Sequence, residues 1–287
     1  MGKRFDSLVF PGGKSKAFTL SYDDGVVQDR RLAEIFRCRG LKCTFNIGSG
    51  LLGHQDLGGF PGKPALDLSK LPAEAFGEVY AGHEIAGHSL YHSDLATVGT
   101  PLAMYEILED KRRLEALTGK PVKMFAYPFG SNNADTREIL RLAGYHGART
   151  VVSSHNFALP QDFLTWDPTC HHNDPELMNL AREFLNQFPF RPALFYVWGH
   201  AYEFDGDNNW QRIEALADLL VQHREEVWFA TNGEIIDYVT AYRRLEYSAD
   251  GSILCNPSAL DVTIRTSMHT VQTVRAGQYV AIAPTPL

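Results

Sequence analysis

Cysteine is scarce in this sequence and scattered: Cys38, Cys43, Cys170 and Cys255 form no C-x-x-C pair and no regular spacing. That excludes a disulfide framework and reads as the reduced thiols of an intracellular protein. There is no basic block either. The formal charge is -7 with acids and bases interspersed, which argues against nucleic acid or an anionic membrane surface as the main partner. No apolar run approaches membrane-spanning length, and the N-terminal stretch MGKRFDSLVFPGGKSK meets Pro11 before a secretory apolar segment can form. A cytoplasmic location is therefore expected, unless a leader has been removed. No internal repeat or low-complexity tract stands out, and nothing in the chain indicates its oligomeric state.

What is present is globular composition, 44% hydrophobic and 11% aromatic over 287 residues, enough for one large domain or one domain with an appendage. Short apolar runs alternate with stretches of helical period. AFTLSY (17–22), CTFNI (43–47), HEIAG (83–87), KMFAY (123–127), ARTVV (148–152), LFYVWG (194–199) and VWFAT (227–231) read as strands. Residues 28–40, 104–119, 135–144, 175–187 and 210–223 read as helices between them; Leu32, Ile35 and Phe36 show the spacing and Gly40 the stop. Such alternation predicts a parallel sheet, closed or open. After Tyr242 the helical period disappears, and β-like runs are cut by Asp-Gly, Asn-Pro and Ala-Gly. The expected division is a main domain over 1–243 and a small β-rich appendage over 244–287.

Within the first unit, LSYDDG (20–25) places two neighbouring acids and a glycine at the end of an apolar run. Asp-Gly is a strong hairpin signal, but a hairpin needs a second alternating strand, and a helical stretch follows instead. Both acids therefore stand at the exit of a strand that feeds a helix, where α/β folds build their sites. A capping role for Asp24 is the bland alternative.

GHSLYH (87–92) puts His88 and His92 four apart, so that one helical turn would bring both imidazoles to one face, as a metal needs. Two imidazoles and a carboxylate at strand exits make the three-ligand set of a catalytic zinc, with one position left for water. FAYPFG (125–130) ends a strand in Pro and Gly, which on its own is a turn. LFYVWGHAYEF (194–204) carries His200 beyond a buried-looking strand, and WDPTCHHND (166–174) adds Trp166, Asp167, His171 and His172.

In this order the motifs resemble those of the polysaccharide deacetylase family, the NodB-homology domain of carbohydrate esterase family four, over roughly residues 15–240. SYDDG looks like the family's T-F-D-D-G and HSLYH like its H-S/T-x-x-H; FAYPFG resembles R-x-P-x-G, and the strand ending at His200 resembles the late strand-then-histidine motif. The resemblance implies an α/β fold, a distorted (β/α) barrel with fewer than eight regular units. It implies a divalent metal on Asp24, His88 and His92, zinc first and cobalt or nickel as alternatives. It further implies Asp23 as general base, His200 as general acid and the Phe129 N–H as oxyanion donor. Trp166 and Asp167 look like the segment that lines the pocket and orients the catalytic histidine.

Two features depart from the pattern. Ala126 stands where the family often has an arginine that would orient and charge-balance the base, with Arg149 on the next strand as a hypothetical substitute. The His171–His172 pair has no role in the generic pattern; a substrate contact, a support behind the residues that touch the substrate and a plain polar loop all remain open. Tyr127, Trp198, Tyr202 and Trp210 are aromatic candidates for stacking on a sugar, although core packing accounts for most of them. Tyr127, Trp166, His171 and Trp198 are taken as the substrate-contact set. The function expected is removal of N-acetyl groups from a carbohydrate, an oligosaccharide or polysaccharide, by metal-activated water. An O-acetyl esterase or an amidase on a small non-sugar amide is the alternative, and a catalytically silent carbohydrate-binding protein is a third.

Overall fold

The structure, a computed structural model, describes residues 6–58, 65–188, 191–266 and 270–282. Its centre is a parallel sheet built from strands close to those expected: β1 (Lys16–Asp23), β2 (Thr44–Ile47), β3 (Glu84–Gly87), β4 (Met124–Ala126), β5 (Gly147–Arg149), β6 (Cys170–His171), β7 (Ala193–His200) and β8 (Val227–Phe229). The helices that matter below are α1 (Asp29–Arg37), α2 (Thr100–Thr118), α3 (Ala134–Leu142), α4 (Leu177–Leu185), α5 (Tyr202–Gly206), α6 (Gln211–Val221) and α7 (Asn232–Arg243).

β1 is the axis of the sheet. β7 pairs with it along its whole length, while β8 pairs with its first residues and β2 with its last. The order then runs outward through β3, β4 and β5 on one side and to β6 on the other. Residues 166–172 join the two ends. Trp166 exchanges backbone bonds with Ala148 and Thr150 beside β5, and Thr169 and His172 donate to Tyr196 and Trp198 on β7. The sheet is thereby curled into the distorted barrel that the motifs implied.

The pleat sorts side chains into two layers. Phe18, Leu20 and Tyr22 of β1 point outward with Phe45, Phe125, Phe195 and Val197, and are covered by Leu32 and Phe36 of α1 and by the other helices. Burying each such apolar side chain contributes about 1.5–3 kcal/mol. Ala17 faces the barrel interior with Ala86, Met124, Trp166, Leu194, Tyr196 and Ile236. The same alternation carries Thr19, Ser21 and Asp23 inward, where Thr19 donates to Asn232 and Ser21 accepts from Asn46. The polar end of the barrel is thus set by period two in β1.

α7 carries no helix in the sequence reading, yet its signal is there: Thr231 and Glu234 form a reciprocal capping box. Beyond it the described chain is all short strands. Ile253–Cys255 pairs with Glu246–Tyr247 and Tyr279–Ala281, and Val262–Arg265 pairs with Val271–Val274. Val262–Arg265 also takes a partner from the other terminus, Ser7–Val9. Leu254, Val262, Ile264 and Val274 pack on Ala241 and Leu245, and the Tyr238 hydroxyl of α7 ties Val9 to Thr263. Residues 267–269 and 283–287 of the expected appendage lie outside the described residues.

Candidate active site

The two acids sit where β1 ends. Asp23 is in register with His200 on β7 and with Asn46 on β2. Asp24 and Gly25 then turn through left-handed backbone, φ 82° and 63°. A Cβ on Gly25 would stand 3.2 Å from Ile47 Cγ2, so glycine answers both the conformation and the close approach. The chain enters α1 at Asp29; DDG is a strand-to-helix turn, not a hairpin.

Asp23 is 2% exposed. Its Oδ1 accepts from Asn46 Nδ2 at 2.8 Å, and its Oδ2 is paired with the guanidinium of Arg149. Arg149 lies on β5 directly across from Ala126. It is wholly buried, stacks 4.2 Å from the Trp198 ring and donates to Thr150 O. The cation absent at position 126 therefore reaches the same carboxylate from the adjacent strand. Burial pushes the Asp23 carboxyl up, but Arg149, then His88 and His200, outweigh it and hold it below the usual range. Asp23 Oδ2 also lies 3.9 Å from both His88 Nε2 and His200 Nε2.

Asp24 Oδ1 lies 3.9 Å from His88 Nε2, 3.7 Å from His92 Nε2 and 3.7 Å from Lys70 Nζ. Burial works against its ionisation, yet Lys70 and the three neighbouring histidines bring its pKa down to about 2. The histidines do not share a helical turn as the spacing suggested. Residues 88–99 form a loop, and left-handed Ser89 (φ 59°) and His92 (φ 58°) fold it so that the rings meet at 4.8 Å. Two carboxylates one turn apart on α2 pin that loop: Asp110 accepts from His88 N and Ser49 N, and Glu106 from Tyr91 N and Ser93 Oγ.

This donor set fits a divalent ion. The ligand atoms of Asp24, His88 and His92 lie within 4.8 Å of one another. The Nδ1 of His88 is held by Ala126 O at 2.8 Å, and its Nε2 is buried without a hydrogen-bond partner among the described residues. Burial pushes His88 down to about 4, so the ring is neutral with its Nε2 lone pair turned to the site.

The remaining expected residues divide. Phe129 is 66% exposed, has left-handed backbone (φ 59°) and sets its ring 4.6 Å from His92. Trp198 forms a wall, its ring 4.6 Å from His171 and 5.6 Å from His200. Trp166 and Tyr127 are corrections to the substrate set. Trp166 is packed inside the barrel between Phe163 and Tyr196. Tyr127 falls on the outward phase of its strand, 1% exposed, and donates to Leu164 O. Asp167 is also corrected: it is exposed, accepts from the Thr150 hydroxyl, and is not brought to His200.

The carboxylate beside His200 is one the sequence reading passed over, Glu203 in the first turn of α5. Its Oε1 lies 3.4 Å from His200 Nδ1, and its Oε2 lies 3.1 Å from both His171 Nε2 and His172 Nε2. Burial opposes its ionisation, but the His171, His172 and His200 contacts prevail and hold the carboxyl far below its ordinary range. For His200, burial pulls down while Glu203, Asp23 and Asp24 prevail and raise its pKa. Only the three-residue spacing from His200 hinted at Glu203. Asn46, a polar residue inside the strand CTFNI, was likewise overlooked.

Comparison with known proteins agrees with this geometry. Residues 11–148 match the polysaccharide deacetylase family model. No curated protein sequence matches the chain. Among solved structures, a polysaccharide deacetylase homologue from Mycobacterium smegmatis is 18% identical over 84% of this chain and 96% of its own, with a TM-score of 0.58. The CE4 domain of a multidomain xylanase from the hindgut metagenome of Trinervitermes trinervoides is 16% identical, covering 82% and 96%, with a TM-score of 0.53. A CE4-family pseudoenzyme from Bacillus anthracis is 17% identical over 78% of this chain, which spans 66% of that chain's length, with a TM-score of 0.51. Over residues 11–148 the chain is similar to the polysaccharide deacetylase family, and more widely it shares the fold of these solved structures.

Proposed function

We propose that the protein is a metal-dependent hydrolase that removes N-acetyl groups from a carbohydrate. The observation that carries the reading is the position of Asp23 Oδ2, 3.9 Å from both His88 Nε2 and His200 Nε2, beside the Asp24–His88–His92 donor set. Asp24, His88 and His92 would hold the ion. Bound there, a divalent ion supplies a Lewis acid for an acyl carbonyl and acidifies a water. Asp23, kept ionised by Arg149, accepts the water's proton. His200 returns a proton to the leaving nitrogen as the C–N bond breaks. The Phe129 N–H, on its left-handed turn, is assigned to the developing oxyanion. Trp198 and the partly exposed His171 line the approach.

An O-acetyl ester would use the same groups with an alcohol leaving. A silent carbohydrate binder needs neither Asp23 nor His200, and Arg149 supplies the charge whose loss at Ala126 favoured that reading.

Metal analysis of the wild type beside His88→Ala, together with acetate release from a panel of N- and O-acetylated oligosaccharides, tests the proposal. About one divalent ion per chain in the wild type, lost in the variant, and acetate from at least one N-acetylated sugar are expected. Equal metal in both proteins removes the ligand assignment; metal with no acetate from any sugar removes the deacetylase.

A further inference from the structure

His171, His172 and Glu203 form a cluster, His172 wholly buried and the other two partly exposed, in which the chemistry above gives His172 and Glu203 no role. Their ligand atoms lie within 4.8 Å of one another, a spacing a second cation would accept. The hydrogen bonding of His171 argues otherwise. His171 Nδ1 accepts from Asn173 N at 3.1 Å, so in the neutral ring the proton sits on Nε2, the atom facing Glu203, where a metal needs a lone pair. His172 is wholly buried, stacked between Tyr22 (5.6 Å) and Phe204 (4.1 Å), with its Nε2 on the same carboxylate oxygen. It is fixed in place by Gly199, where any Cβ would stand 1.9 Å from His172 Nδ1. The Nε2 atoms of both rings lie 3.1 Å from Glu203 Oε2, and Oε1 lies 3.4 Å from His200 Nδ1. The opposite nitrogen of His200 faces Asp23.

We infer that Glu203 is the positioning residue of His200: it fixes the ring with Nε2 toward the reacting centre and stabilises its protonated form, and His171 and His172 exist to hold Glu203. A carboxylate on Nδ1 keeps a proton on that nitrogen, so Nε2 is the position from which a proton can leave to the departing amine and to which it returns from solvent. The raised pKa of His200 agrees with this arrangement. The other titratable groups facing His200 are Asp23 from β1, Asp24 from the turn after it, His171 from β6 and Tyr202 from α5.

The kinetic part of the test rests on the deacetylase reading, and the spectroscopic part does not. In zinc-loaded protein, the His200 ring is followed by NMR with labelled histidine in wild type, Glu203→Gln, Glu203→Asp and Asp167→Asn. Glu203→Gln is expected to lower the pH at which the ring titrates by about 1, and Glu203→Asp to recover part of that. On an acetylated sugar, Glu203→Gln is expected to lower kcat about 100-fold with KM within about two-fold, and to move the alkaline limb to lower pH. An unmoved His200 titration in both Glu203 variants overturns the inference. So does a larger shift in Asp167→Asn, or a second equivalent of zinc that the wild type binds and Glu203→Gln does not. If Glu203→Gln fails to fold, Glu203→Asp is decisive by the same titration. If the wild type cleaves no acetylated sugar, the deacetylase reading falls and the titration still decides Glu203.

Discussion

Removing the Arg149 guanidinium should cost the fold more than any surface change. Asp23 is 2% exposed and has two partners, Arg149 and Asn46 Nδ2 at 2.8 Å; Arg149 is 0% exposed, with Thr150 O and the Trp198 face as its further contacts. Arg149→Met keeps most of the apolar stem and leaves a buried carboxylate with one neutral donor. Breaking a buried pair in this way costs about 3–5 kcal/mol, or about 6–10 °C in Tm for a chain of this size. The folded carboxyl lies below its ordinary value, so the pair's contribution is present above the unfolded carboxylate pKa of about 3.9 and is lost as pH falls through the folded value. The stability difference should therefore be full at pH 7 and narrow below about pH 4. Denaturant unfolding followed by circular dichroism, with chelator in every sample, measures it. A double-mutant cycle with Asp23→Asn isolates the pair, because removing both charges should cost less than the sum of the single losses. Additive losses, or a gap constant from pH 7 to pH 3, would refute the reasoning.

Two further outcomes follow from buried groups. Gly199→Ala should displace His172 and, through it, Glu203, since the new Cβ would overlap His172 Nδ1 at 1.9 Å; a stability loss of about 1–3 kcal/mol is expected, and an unchanged melting curve contradicts it. Asp29 is fully buried, and although the Tyr80 hydroxyl donates to it, burial raises its pKa well above the usual value. Its folded form therefore favours the proton, and its cost appears as pH rises from about 4 through the raised value. Asp29→Asn should gain stability over wild type between pH 4 and pH 8, and parallel stability curves would contradict this.

The sheet was legible because the apolar runs of β1 and β7 are long and each ends in a residue of unusual chemistry. Helices with a clear apolar stripe, such as α1, were legible too. The loop carrying His88 and His92 was not, because its shape comes from left-handed Ser89 and His92 and from Glu106 and Asp110, more than a dozen residues later in the chain. A four-residue spacing looks the same on a helix and on a folded loop. The Trp166, Tyr127 and Asp167 assignments failed for a related reason: strand phase and the path of residues 166–172 decide which side chains face the site, and neither is visible in composition. Glu203 was hidden in the first turn of a five-residue helix, marked only by its three-residue spacing from His200.

Ala126 and Arg149 occupy opposite points of one rung of the sheet. A guanidinium at the end of a long flexible stem can serve the same carboxylate from either end of that rung, so the positive charge can change its strand of origin while its location in space stays put. A sorting by the residue in the third motif alone would miss the guanidinium that Arg149 brings to Asp23. Exchanging the pair, with Ala126→Arg placed on Arg149→Ala, asks whether the barrel reads an address in the chain or only a point of charge.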